Sequence, residues 1–251
     1  MKKLLSHVAL AVALCSTTLA QDGKGSYYEA IQQGASGAIQ PSQFKKLEED
    51  AWKDFAGADS YYVLTKTFGK TTEKVWAVVY AETYCNLMPD TDRCNELGAL
   101  MHGWYEKAFA KEGNQMTVTL SENAEVNPSS KQPPFEPNFE ISLLLGFVAA
   151  KADFNPLSIK ALAETRRQQL AIWNQKKLPK TELIRRQEAI AAAGHFEAYN
   201  YWLFKSARPE EFKKWQGEHQ AQYQQWEEWQ TKNRFSIQKP DIQRPYFIKR
   251  S

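Results

Sequence analysis

The chain has 251 residues, with 32 basic against 29 acidic side chains for a formal charge of +3, and 43% of it is hydrophobic. That is enough for one large domain or two small ones, each with a sizeable core. The near-balance of charge gives no reason to expect nucleic acid or an anionic membrane as partner, and no segment holds the roughly 20 consecutive apolar residues of a membrane span.

Residues 1–20 read as an address. Lys2 and Lys3 make a positive start, Val8 to Leu14 an apolar run, and Thr18-Leu19-Ala20 before Gln21 a cleavage site of small residues. The chain is therefore expected to be exported, to the periplasm or beyond the cell, with the leader removed. Cys15 raises lipid attachment as a rival, against which Leu14 stands where a small residue is wanted. Cys85 and Cys94 then remain as an even pair bound for an oxidising compartment, which predicts a disulfide. Its short loop is worth about 2–3 kcal/mol on the chain-entropy argument. Zinc is the alternative, but His102, His195 and His219 stand at no metal-site spacing, so neither a metal nor a cofactor is expected.

Helical periodicity dominates residues 21–113. After Pro41, apolar residues recur at Phe44, Leu47, Ala51, Trp52 and Phe55, and Gly57 ends the run. Thr72 and Glu73 open a second helix whose main face is Trp76, Val79, Tyr80, Thr83 and Leu87, closed by Pro89-Asp90. Asp90 or Thr91 caps a third, through Leu97, Leu100, Met101, Trp104, Tyr105, Ala108 and Phe109 to a stop near Gly113. The two cysteines thus flank the turn of a helical hairpin. Residues 114–137 hold a short strand, Met116 to Leu120, and a loop with Pro128, Pro133, Pro134 and Pro137 that suits a linker or a functional excursion. The strand's partner is expected at Phe235–Ile237 or Tyr246–Ile248.

Residues 138–234 return to helix. One run starts at Asn138 and passes Ile141, Leu144, Leu145 and Val148; another spans Leu157 to Asn174 with Leu162, Leu170 and Trp173. Thr181 caps a long helix from Glu182 to about Ser206, and Pro209 starts the last. The phrase Pro-x-x-Phe-Lys-Lys occurs at Pro41 and again at Pro209, a common way to start a helix rather than a repeat. Residues 235–251 form a basic, proline-punctuated tail with Lys239, Arg244, Lys249 and Arg250, expected to be solvated. The fold class is mainly α, with helical hairpins stacked as a bundle or short solenoid around a small two-stranded β element. The run Trp104-Tyr105-Glu106-Lys107-Ala108-Phe109 resembles the end of the second helix of a tetratricopeptide repeat. Trp76 would match that family's first-helix aromatic, although Val79-Tyr80 stand where the family has Leu-Gly. The resemblance covers one hairpin, implies stacked hairpins, and carries over no ligand-binding residue.

Two features bear on chemistry. Phe212, Trp215, His219, Tyr223, Trp226 and Trp229 follow at steps of three or four and form one aromatic stripe. Such a stripe packs a core, or stacks on sugars and anchors a partner helix. Glu82 lines up with Val75, Val78 and Cys85, so it is partly buried; it either pairs with an arginine or serves as a general acid. His102 and Glu106 can touch on one helix face, whereas His195 and Glu197 cannot. The chain contains no Gly-x-Ser-x-Gly elbow, no His-Glu-x-x-His and no glycine-rich phosphate loop.

These features lean away from an enzyme. They describe an exported binding or scaffold protein that offers Trp215, His219, Tyr223, Trp226 and Trp229 to a protein or glycan partner in the cell envelope, an immunity or inhibitor protein being one version. The second reading is a hydrolase of cell-wall polymer with Glu82 as its acid.

Overall fold

A computed structural model of the chain describes residues 41–71, 73–112, 115–121, 135–152 and 156–242. Residues 1–40, with the expected leader, most of the proline-rich loop and residues 243–251, with the second strand partner considered above, lie outside them. Mainly α structure is what the described residues show, in ten helices and one two-stranded antiparallel sheet. None of these helices is long and apolar enough to cross a membrane.

Helices α1 (Pro41–Lys53) and α2 (Ala58–Phe68) lead into α3 (Lys74–Leu87), which forms a hairpin with α4 (Asp92–Ala108). Helix α2 has no counterpart in the sequence periodicity. Its buried residues, among them Tyr61, Val63, Leu64, Thr65 and Phe68, cover more than one face and leave no stripe to read. Helix α3 is buried from Val75 through Asn86 without interruption, because α2, α4 and a later helix enclose it. Thr91 caps α4 by accepting a hydrogen bond from the Cys94 amide at 3.1 Å. Cys85 and Cys94 meet across this turn as a disulfide pair with Cα atoms 4.8 Å apart.

Strands β1 (Phe109–Glu112) and β2 (Gln115–Val118) pair directly, Phe109 with Val118 and Glu112 with Gln115. This corrects the expected pairing with Phe235–Ile237: the chain turns back on itself at once, since two adjacent strands need only a tight turn. It also ends α4 at Ala108, where a helix reaching Gly113 was expected.

Helix α5 (Phe135–Ala150) starts earlier than Asn138, with Pro137 in its first turn, where a missing N–H costs nothing. It packs on α6 (Ile159–Gln175). The contact is backbone to backbone: a Cβ on Gly146 would fall 2.6 Å from the Thr165 carbonyl and 2.7 Å from the Gln169 amide. Gly146, Ser142, Leu143 and Phe147 therefore face inward, and Ile141, Leu145 and Val148 are exposed.

The long helix expected from Glu182 to Ser206 is two, α7 (Glu182–Ala192) and α8 (Phe196–Phe204). Gly194 breaks it at φ +78°, with its own amide on the Ala191 carbonyl and that of His195 on Ile190, a glycine-terminated helix end. Helix α8 is the hub and touches α4, α6, α7, α9 (Pro209–Glu218) and α10 (Gln220–Lys232). The fully buried side chains are largely aromatic, including Trp76, Tyr80, Tyr105, Tyr199, Trp202, Phe204 and Trp226. The start of the tail is also packed: Ile237, Asp241 and Ile242 are buried, contrary to a solvated terminus. Asp241 accepts from the Glu182 amide at 2.9 Å and pairs with Arg185, so it caps α7.

Candidate functional site

Glu82 and Arg166 form an ion pair at the centre of the molecule, their residues 2% and 3% exposed. Glu82 comes from the middle of α3, and Arg166 from an otherwise apolar face of α6 between Leu162 and Leu170. The same carboxylate oxygen, Oε1, accepts from Gln187 at 2.7 Å and from the Tyr199 hydroxyl at 2.6 Å. Arg166 also donates to Asn200 Oδ1. Its guanidinium carbon stands 5.5 Å from the Phe204 ring centroid and 5.9 Å from that of Tyr199. Burial alone would lower the Arg166 pKa, but Glu82, Tyr105 and Tyr199 outweigh it, and the group is held above its ordinary value. Burial, reinforced by Glu82, raises the Tyr199 phenol well above the usual range, so it stays protonated and donates.

This arrangement answers the choice posed by Glu82. Its Oε1 accepts from Arg166, Gln187 and Tyr199, and the free volume beside it is about 20 Å³, room for one water rather than a polymer. Of the two alternatives for Glu82, the pairing with an arginine is the one seen.

The polar network continues from Glu82 to the surface. Asn86, one turn along α3, donates from Nδ2 to the Tyr199 hydroxyl at 2.8 Å and accepts at Oδ1 from Arg186 Nε at 3.3 Å. Arg186 Nη1 reaches the Asn233 carbonyl at 2.6 Å, and the guanidinium lies over the Trp229 ring at 4.6 Å. Arg186 is 8% exposed, and burial lowers its pKa. No carboxylate among the described residues pairs with it.

Arg186 opens onto a cleft of about 340 Å³ between the α3–α4 turn and the end of α10. Leu87, Met88 and Pro89 form one wall and Gln230, Thr231, Arg234 and Phe235 the other. Gln230 Nε2 is buried without a hydrogen-bond partner. Asp90, at φ +59° on the rim, accepts from Trp202 at 3.0 Å and from Lys205 at 2.8 Å. Burial alone would raise the Asp90 pKa, but those two donors outweigh it and hold the carboxyl below its ordinary value. Its charge is thus already answered.

Of the two alternatives for the aromatic stripe, core packing is the one seen. The helix breaks at His219 into α9 and α10, and the side chains turn onto α8. Trp215, Tyr223 and Trp226 are buried, with Trp226 at 0% exposure; Phe212, His219 and Trp229 are half-buried. Tyr201, Trp215 and His219 form one stack, with centroids 4.2 and 4.9 Å apart. Trp226 packs against Tyr199, Trp202 and Trp229. The stripe is core because α8 offers it an equally aromatic face. Trp229 alone of the five touches the cleft's machinery, beneath Arg186.

His102 sits against Phe204 with its Nε2 buried and unpartnered, and burial together with Arg208 lowers its pKa. Among the described residues no group of three His, Cys, Asp or Glu side chains is placed to hold a metal.

No protein-family model matches the chain, and neither a curated protein nor a solved structure matches it.

Proposed function

We propose that the chain is an exported, non-catalytic binding protein of the cell envelope, and that it holds its protein or glycan partner at the cleft between the α3–α4 turn and α10. The observation that carries this reading is Arg186, a nearly buried cation with no carboxylate partner among the described residues, facing an opening of about 340 Å³. Volumes of that size are typical of sites that enclose a ligand group. The cysteine pair pins one wall, and the hydrogen bonds from Asn86 and Asn233 hold the cation, so the site is pre-formed. The leader-like first 20 residues and a cysteine pair placed for oxidation support export. Blocking a toxin or a hydrolase is one form that such binding takes.

A photoreactive phenylalanine analogue placed at Thr231, in the cleft wall, tests this in the producing cell. The control position is Lys107, at the far end of α4 and roughly 25 Å along its axis from the turn. A defined adduct from position 231 and none from 107 is the expected result. Adducts from neither, or equally from both, overturn the reading.

A further inference from the structure

We propose that the cleft recognises an oxyanion, a carboxylate or phosphate group of the bound partner, held in the plane of the Arg186 guanidinium with Arg234 closing on it from the rim. This deepens the binding reading above and rests on it.

The guanidinium has five N–H donors. Nε is taken by Asn86 and one hydrogen of Nη1 by the Asn233 carbonyl, which leaves three. One face of the group is covered by the Trp229 ring at 4.6 Å, and the Phe235 ring stands 6.0 Å away. Aromatic packing covers faces and leaves the edge, and it is the edge that matches the two oxygens of a carboxylate or phosphate.

Three further observations favour an anion over a neutral group. A cation this deeply buried without a countercharge is costly, and the cost falls when an anion arrives. Arg234 lines the same cleft, is exposed, and makes no ion pair among the described residues. Gln230, in the same wall, carries a further donor, Nε2, that is buried without a hydrogen-bond partner. The carboxylate in the cleft's own lining does not compete: Asp90 is bonded to Lys205 and Trp202. Leu87, Met88, Pro89 and Phe235 add apolar surface to this lining, which suits an oxyanion carried on an organic body.

The test uses three small probes on the full-length mature protein: benzoate, its neutral isostere benzamide, and inorganic phosphate. Each is titrated while the Arg186 Nε–H and Trp229 indole resonances are followed by NMR. Benzoate is expected to shift both, with benzamide without effect and affinity falling as salt rises. Phosphate shifting them as well supports the same oxyanion chemistry from an inorganic source; benzoate alone assigns it to an organic acid. Arg234→Gln, at a position with no described hydrogen bond to lose, should weaken benzoate by about tenfold, the equivalent of 1.4 kcal/mol. Arg186→Lys keeps the charge and loses the fork, and should weaken it at least as much. Equal shifts with benzamide and benzoate, or none with either anion, overturn the oxyanion. If the photo-adduct from position 231 persists in that case, the binding reading stands without it.

Discussion

Substituting Glu82 by leucine leaves the Arg166 guanidinium, 3% exposed, with Asn200 and three aromatic rings but no anion. Substituting Arg166 by methionine leaves the Glu82 carboxylate in the same place with Tyr199 and Gln187 as its remaining donors. Breaking a buried pair from either side costs about 3–5 kcal/mol, because the stranded charge keeps its desolvation penalty. Removing both partners takes both charges away. What remains is the loss felt by Tyr199, Gln187 and Asn200, each of which gives up a buried hydrogen bond worth about 1 kcal/mol or somewhat more. The double variant should therefore cost about 2–5 kcal/mol, short of the roughly 6–10 obtained by adding the singles, and the coupling should be at least about 1 kcal/mol. Urea unfolding of the disulfide-intact protein measures this, with far-UV circular dichroism and tryptophan fluorescence followed together to confirm a single transition. Additive losses, or a Glu82→Leu variant within about 1 kcal/mol of the parent, refute the view that this pair organises the core.

Two glycines on one helix should respond with opposite signs. A Cβ at Gly98 would meet the Leu203 carbonyl at 2.2 Å, whereas Gly103 has nothing within 4 Å. Gly98→Ala should cost about 1–3 kcal/mol through the α4–α8 contact, and Gly103→Ala should gain up to about 1 kcal/mol of helix propensity; losses of equal size would show that α4 and α8 do not approach as described. Trp226→Ala should cost about 3–5 kcal/mol in the same urea assay, and a loss below about 1 kcal/mol would return the stripe to the surface. The folded-state pKa of His102 lies below its unfolded value near 6.5, so the unfolded chain takes up the proton first as pH falls. Its contribution to stability is present above about pH 6.5 and is lost as pH drops through the folded pKa. His102→Gln should flatten the decline in melting temperature between about pH 7 and 5, leaving the part due to His195, whose pKa burial also lowers; an unchanged slope would deny His102 that role.

Much of the helical frame is written locally and was legible for that reason. Thr91 and Thr181 cap the helices they precede, each accepting from the amide three residues on, and Pro41 and Pro209 begin helices as their missing N–H allows. What escaped depends on surroundings. Gly194 ends a helix only because it takes a positive φ, and inside a run of good helix formers an alternative continuous helix reads equally well. Helix α5 shows its limits most clearly: apolar residues circle it, so periodicity could not tell that Gly146 faces α6 and Val148 faces out. The aromatic stripe posed the same difficulty, since only the discovery that Tyr199, Tyr201 and Trp202 lie opposite decides that it is core.

Glu82 stood out because a carboxylate in line with apolar residues breaks a pattern. Its partners carry the same signal: Arg166 follows Leu162 by four and precedes Leu170 by four, and Arg186 falls three after Leu183 and four before Ile190. Charges at core positions of three helices are a request for one another, and the two arginines show how the request is divided. Arg166 takes the only carboxylate among the network's described side chains. Arg186 is left with amide and carbonyl oxygens, yet it is oriented by the same network, through Asn86 and Tyr199, that Glu82 anchors. A buried ion pair adds little net stability over an apolar trio, but it fixes which helices meet and in what register. Here α3, α6, α7 and α8 all converge on it, and the reach of that register extends to the cleft. Weakening Glu82 therefore disturbs the seat of Arg186 as well as the core, which makes the Glu82 variants a test of how far the cleft's geometry depends on the interior.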